Sequence, residues 1–333
     1  MNSTNQRIRN LLLIGGIGVF LLILPQFLGR YFIHLITMIF FFGYLGLAWN
    51  ILGGYAGQFS FGHAAFFGVG AFTSTLLQIH VGVNPWIGMF LAGVAGLLLG
   101  LFIGSLSFRY GLRGPYFALA MLALAEMFRL LAVEWMAVKY PLGISIPLKG
   151  DSFLNFQFMS KVPYYYISLL MMAVALYLTH VIETRRMGSY FKAIRENENA
   201  AEILGVNVFK YKLIAMAISS FLTAVGGTFY SQYYLSIEEE STFGVGMSIE
   251  VLLGPIIGGA GTVLGPVLGA GILEILSEVT RNILGAYSGV HLMVYGAILI
   301  FVIIFLPNGI LGGLQMAFRK LSKGDSGRHL WPF

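Results

Sequence analysis

The sequence contains no cysteine, which excludes disulfides, thiolate metal sites and a cysteine nucleophile. Charge is scarce as well: 10% of the 333 residues are charged, while 57% are hydrophobic and the mean hydropathy is +0.81. An ordinary soluble domain is about a quarter charged, and no soluble fold of this size hides so much apolar surface behind so few charges. The solvent is therefore the bilayer, and the chain reads as an all-α, polytopic helical membrane protein. No histidines stand at metal-ligand spacing, no serine, histidine and acid are arranged as in a hydrolase, and no phosphate-binding loop is present. Catalytic residues, a resident cofactor and a metal site are not expected, and the chain does not read as an enzyme.

A pI of about 9.4 suggests a nucleic-acid partner. The distribution of Lys and Arg argues against it, because they fall in short segments between apolar runs rather than on one basic face. The N-terminal run from Leu11 to Leu28 is long for a secretion signal and is followed by no small-x-small cleavage site. It reads as a retained first span, loosened at Pro25.

A spanning helix needs ~20 mostly apolar residues. That ruler predicts about eight full spans, near 10–28, 31–52, 61–78, 85–107, 115–135, 163–182, 211–236 and 289–307. Arg7 and Arg9 put the N-terminus in the cytoplasm, and the basic residues Arg109, Arg113, Arg185, Arg186, Lys192, Arg195 and Lys210 then also fall inside. Glu238, Glu239 and Glu240 fall outside. The basic C-terminal tail belongs inside, so an odd number of crossings separates it from Glu240. With one crossing at 289–307, residues 249–276 must enter and leave on the same face, as a broken or re-entrant pair; a single ordinary span there would leave the tail outside.

That stretch, "EVLLGPIIGGAGTVLGPVLGAGIL" (250–273), is crowded with glycine and carries Pro255 and Pro266. A second glycine-interrupted stretch is "NILGGYAGQFSFGHAAFFGVGAF" (50–72). Irregular backbone in lipid is tolerated only where protein or a water-filled cavity covers it, and broken apolar segments in both halves of a transporter point to its translocation site. Small-residue packing between helices explains the same glycines, and both readings stand. On the pathway reading the candidates are Tyr55, Gln58, Ser60 and His63 from one break, with Gly258, Gly259 and Gly261 from the other. Glu126 and Arg129 lie mid-span at a spacing of three, which puts them on one helix face as an intramembrane ion pair; a proton relay is the other reading.

The most polar stretch is "KAIRENENAAEILGVNVFKYK" (192–212). Read as one helix over 190–204, it places Tyr190, Ile194, Asn197, Ala201 and Leu204 on one face, and Gly205 stops it with a left-handed backbone. Such a helix is a rod of ~22 Å with a thin apolar stripe, suited to docking a partner or to lying on the membrane surface.

"NAAEILG" also has the spacing of the coupling-helix signature of ABC importer permeases, with Asn199, Ala200, Ala201 and Gly205 in its slots. Asn199 stands where that signature has glutamate, and the Leu-Pro that often follows is absent at 217–218. Over about 40–310 the chain resembles the branched-chain amino-acid permease family of such importers, in its LivM-type branch. The resemblance is carried by four ordered blocks at 47–72, 112–130, 194–227 and 256–273. One departure is "VKYPLGISIP" (138–147), where the family has a Thr-Gly-Gly element before Gly-Ile.

The resemblance implies a single permease domain over 1–320, with a cytoplasmic coupling helix at about 188–206 and a cytoplasmic tail at 321–333. It implies a bacterial inner-membrane subunit with both termini cytoplasmic, paired with a sister permease subunit. Two cytosolic ATP-binding subunits would supply ATP and Mg, and an external solute-binding protein would deliver leucine, isoleucine or valine. Ile194, Asn197, Asn199, Ala200, Ala201, Leu204 and Gly205 would form the ATPase contact. A urea or short-amide ABC permease, a secondary transporter and a passive channel are the rival functions.

Overall fold

The computed structural model describes residues 15–284, except 17, 141–142 and 149, together with positions 293, 296–297, 300 and 309–312. The expected tail at 321–333 and most of the expected span at 289–307 lie outside the described residues. Among the described residues, seven helices are long and apolar enough to cross a membrane. The chain is an all-α polytopic membrane protein, and the described strands are one short antiparallel pair, Ile144–Ser145 (β1) with Ser236–Ile237 (β2). Ahead of the first full helix, a helical segment at 18–23 gives way to a 3-10 turn, Leu24–Gln26, where Pro25 sits.

Helix α1 (Arg30–Asn50) is the axis of the bundle, with Phe41, Tyr44, Leu45 and Trp49 fully buried. Next in the chain come α2 (His63–Leu76), α3 (Pro85–Arg109), α4 (Gly114–Lys139) and α5 (Val162–Thr184). Two short helices follow, α6 (Arg186–Glu196) and α7 (Glu198–Ile203), and then the long α8 (Val208–Tyr234). A further short helix, α9 (Glu239–Phe243), precedes α10 (Val245–Gly258) and α11 (Gly265–Leu284). Helix α1 packs against α5, α8, α10 and α11, and α8 packs against α2 and α3.

Small residues allow these contacts. Gly93, Gly96, Gly100 and Gly104 form a row on α3, and a side chain at Gly96 or Gly100 would collide with Ala224 or Ser220 of α8. Lipid supplies little drive between helices, so close approach of this kind is a main source of association. The outer faces carry Phe90, Leu98, Phe102, Leu119, Leu130, Leu131 and Leu170 in the open, as a lipid solvent requires.

The glycine-rich stretch near the C-terminal end is a helical hairpin, whose first leg with the short helix before it, Glu239–Gly258, is long and apolar enough to cross a membrane. Helices α10 and α11 run antiparallel, with Gly258 beside Gly265 and Gly254 beside Gly269 and Ala270. Helix α11 therefore runs back alongside α10. The other glycine stretch ends α1 in a widened π turn, Ile51–Tyr55, before Gly57 at φ +69° redirects the backbone.

Candidate functional site

One end of the bundle carries α6 and α7. The single helix expected over 190–204 is two, because Asn197 is extended (φ −161°, ψ 110°) and caps α7: its Oδ1 accepts from the Ala200 N–H at 3.0 Å. This corrects the expected stripe, because a helix restarted at a cap loses its register with the helix before it. Asn197 is a cap rather than a stripe residue. Ile194 and Ala201, each 1% exposed, face into the protein, so they are not on the outer surface. Asn199, Ala200, Gly205 and Leu204 are exposed, Leu204 by 80%. Beside Leu204 stands Ile203, 86% exposed, which the sequence reading passed over; recognising Asn197 as a cap would have put Ile203 and Leu204 at the helix tip. Gly205 has φ +84° and ends the element as expected.

The inner side of α7 is held by Glu198. Its carboxylate pairs with Arg113 Nε at 2.9 Å and with Lys212 Nζ, and accepts from Gln58 Nε2 at 3.1 Å. Lys212 is only 3% exposed, a burial that an ammonium tolerates only when paired. Arg113 also donates to Asn199 Oδ1 at 3.0 Å, so the residue that departs from the signature helps to anchor α7. Helix α6 is tied by Lys192 to Glu183 at 3.0 Å, and by Arg195, whose Nη1 donates to the Gly54 carbonyl at 3.1 Å.

Most residues predicted to line a pathway are packed close to this end. Tyr55 is buried with Lys192 Nζ 5.8 Å from its ring centre, and Gln58 is buried in the contact with Glu198. His63 contacts Ser60 Oγ at 3.1 Å and Ser219 Oγ at 2.8 Å, Ser219 donates to the Ala48 carbonyl, and Trp49 Nε1 donates to the Ser60 carbonyl. His63 and Ser60 therefore join α1, α2 and α8. Gly258 lets the two hairpin legs meet, Gly259 lies at their turn, and Gly261 donates its N–H to Asn50 Oδ1 at 2.8 Å.

The opposite end holds a polar cavity of about 350 Å³ between α1, α8, α10 and α11, within the range of small-molecule sites. His34, Tyr230, Tyr234, Glu250, Glu274 and Arg281 contribute its polar groups, and none of the predicted pathway residues lines it. Glu278 lies 3.7 Å from Arg281. Glu250 and Glu274, one from each hairpin leg, have no ion-pair partner among the described residues. The signal for these was an acid in each of two apolar segments, with Glu274, Glu278 and Arg281 at helical steps of four and three.

Near the cavity, Arg129 holds Glu126 with two hydrogen bonds, at 2.9 and 2.6 Å, and reaches Glu240 of α9 at 3.3 Å. Through these contacts Arg129 ties Glu126 of α4 to α9. Among the described residues no cluster of side chains could hold a metal ion.

A family model described as "Branched-chain amino acid transport system / permease component" matches residues 31–303. The permease protein LivM of a high-affinity branched-chain amino acid transport system in Escherichia coli (strain K12) is 27% identical over 310 residues, covering 86% of this chain and 71% of that protein. A probable LivM of Methanocaldococcus jannaschii is 24% identical over 325 residues, covering 84% of this chain and 94% of its own. The E. coli permease LivH of such a system is 32% identical over 136 residues, 40% of this chain and 42% of that protein. No solved structure matches the chain.

Proposed function

The chain belongs to the family of permease components of branched-chain amino acid transport systems, and from that premise we propose that it is one half of an ATP-driven importer. Its partners would be a sister permease of the LivH kind, two cytosolic ATP-binding subunits and an external solute-binding protein. Leucine, isoleucine and valine are the proposed solutes. The proposed location is a bacterial inner membrane, with both termini and the α6–α7 end in the cytosol. That orientation puts Arg7, Arg9, Arg109, Arg113 and the basic residues of 185–210 on the side that favours them.

The observation that carries this reading is the construction of α7. Its tip presents Ile203 and Leu204 to solvent, while Glu198 on its inner side grips the α3–α4 loop, α8 and the segment leading into α2. An exposed apolar tip on a braced arm transmits force from a partner to several helices at once. Closure of ATP-binding subunits around Ala200, Ile203 and Leu204 would displace α7, and Glu198 would carry that displacement into the bundle. The cavity at the opposite end is the proposed solute station, with Glu250 and Glu274 facing the ammonium group. ATP and Mg would be bound by the partners, and this chain would supply only the joint.

Leu204→Glu places a carboxylate on the tip without touching the inner contacts. The ATP-binding subunits are expected to stop co-purifying with the variant while the permease pair elutes normally. Retention of those subunits at wild-type amounts would contradict the assignment of α7.

A further inference from the structure

Several chain segments converge on one side chain at the α6–α7 end. The Arg195 guanidinium donates to the Gly54 carbonyl at 3.1 Å, at the π turn that ends α1. It packs on Gly261 of the hairpin turn so closely that a Cβ there would collide with Nη1. Its aliphatic stem lies over Gly57, where a Cβ would come within 2.7 Å of Cγ. Gly57 and Gly261 both have positive φ, +69° and +77°, so their backbones are shaped as well as cleared for the arginine.

Asn50 closes the arrangement from the other side. Its Oδ1 accepts from the Gly261 N–H at 2.8 Å and its Nδ2 donates to the Thr262 carbonyl at 2.9 Å. The two glycine breaks, far apart in sequence, are thus pinned to each other by Asn50 and to α6 by Arg195. Beneath them Leu52, Tyr55 and Ala56 are wholly buried. The described polar cavity lies at the other end.

We propose that Arg195 is the positioning residue of an inner gate: with Asn50 it clasps the two glycine breaks shut, and displacement of α6 withdraws the guanidinium and releases them. The release step rests on the importer reading; the clasp itself does not. Glycine suits such a gate, because the same bare backbone that accepts the arginine leaves the turn free to swing when the arginine departs. Through a charge-assisted hydrogen bond to one carbonyl and steric occupation of the other break, Arg195 links α6 to both.

The chain has no native cysteine, so one introduced thiol reports on the gate. Ala56→Cys, in the full complex, is reacted with a membrane-impermeant maleimide added to the cytosolic face of inside-out vesicles without nucleotide. It is expected to be protected, and adding Arg195→Ala is expected to raise its labelling rate by roughly tenfold or more, the weight of one charged hydrogen bond in an open–closed equilibrium. Arg195→Gln, which keeps an uncharged amide donor, is expected to fall between, and it serves if the alanine variant does not assemble. A merely structural arginine predicts lower yield with the thiol of the assembled fraction still protected, and that result overturns the clasp. Equal labelling with and without Arg195 overturns it too. If the labelling rises as expected but ATP does not raise it in the otherwise wild-type complex, the clasp stands and the importer reading fails.

Discussion

The two ends of the bundle treat charge in opposite ways. At the α6–α7 end the acids and bases that reach into the described protein are paired: Glu198 with Arg113 and Lys212, Glu183 with Lys192, and Arg195 with Glu196 and a backbone carbonyl. At the other end, Glu250 and Glu274 face a cavity with no described ion-pair partner. Matched charges fix elements relative to one another, which is what a force-bearing joint requires. Unmatched charges beside a cavity leave binding capacity for something that arrives. One end is thus tied by ion pairs, and the other holds two acids without a described ion-pair partner beside a cavity.

The sharpest way to break that comparison is Glu198→Ala, which leaves Lys212 buried and unpaired. Removing one partner of a buried pair costs on the order of 3 kcal/mol, so a clear drop in the thermal midpoint of the purified complex is expected, together with loss of ATP-driven uptake. Double replacement with Lys212→Met is expected to recover stability but not uptake, because the arm would stay disconnected. Recovery of both would show that Glu198 only neutralises the lysine.

Glu274→Gln tests the cavity end. The fold is expected to be undisturbed and the ATPase to remain assembled. Uptake is expected to show a KM raised by roughly tenfold, as for loss of a charged contact to an ammonium group. An unchanged KM would take Glu274 out of the solute station and turn attention to Tyr230 and Tyr234.

Much of this was open to reading in the sequence. Apolar runs gave six of the seven described spans, the seventh being Glu239–Gly258, and the loop charges argued that 249–276 returns on itself, as the antiparallel α10 and α11 do. The joint was legible only in outline. A polar helix that restarts at Asn197 has the same composition as one that continues, and the hydrophobic period does not announce a cap in its middle; Ala201 consequently seemed to face outward when it faces the core. The residues named for a pathway, Tyr55, Gln58, Ser60 and His63, are all buried, for a related reason. Polar residues beside a backbone break, such as Ser60 and His63, are needed to satisfy groups that the break exposes, and that duty keeps them in packed protein. Glu250 and Glu274 gave little signal because a long apolar window absorbs an isolated acid.

The smallest effect is expected from Glu126→Gln. Arg129 keeps Glu240 as a partner at 3.3 Å without it, so only a minor loss of ATP-driven uptake is expected. Loss of uptake, or its new dependence on a proton gradient, would make the carboxylate a relay and move a working group into the anchor between α4 and α9.

The central claim is that work enters through the tip of α7. It is tested most directly by leucine uptake into proteoliposomes that hold the complete complex, with ATP on the α7 side and the solute-binding protein on the other. Uptake that requires ATP in the wild type and disappears with Leu204→Glu is the predicted result. Uptake that proceeds without ATP, or that survives Leu204→Glu at the wild-type rate, would contradict the account.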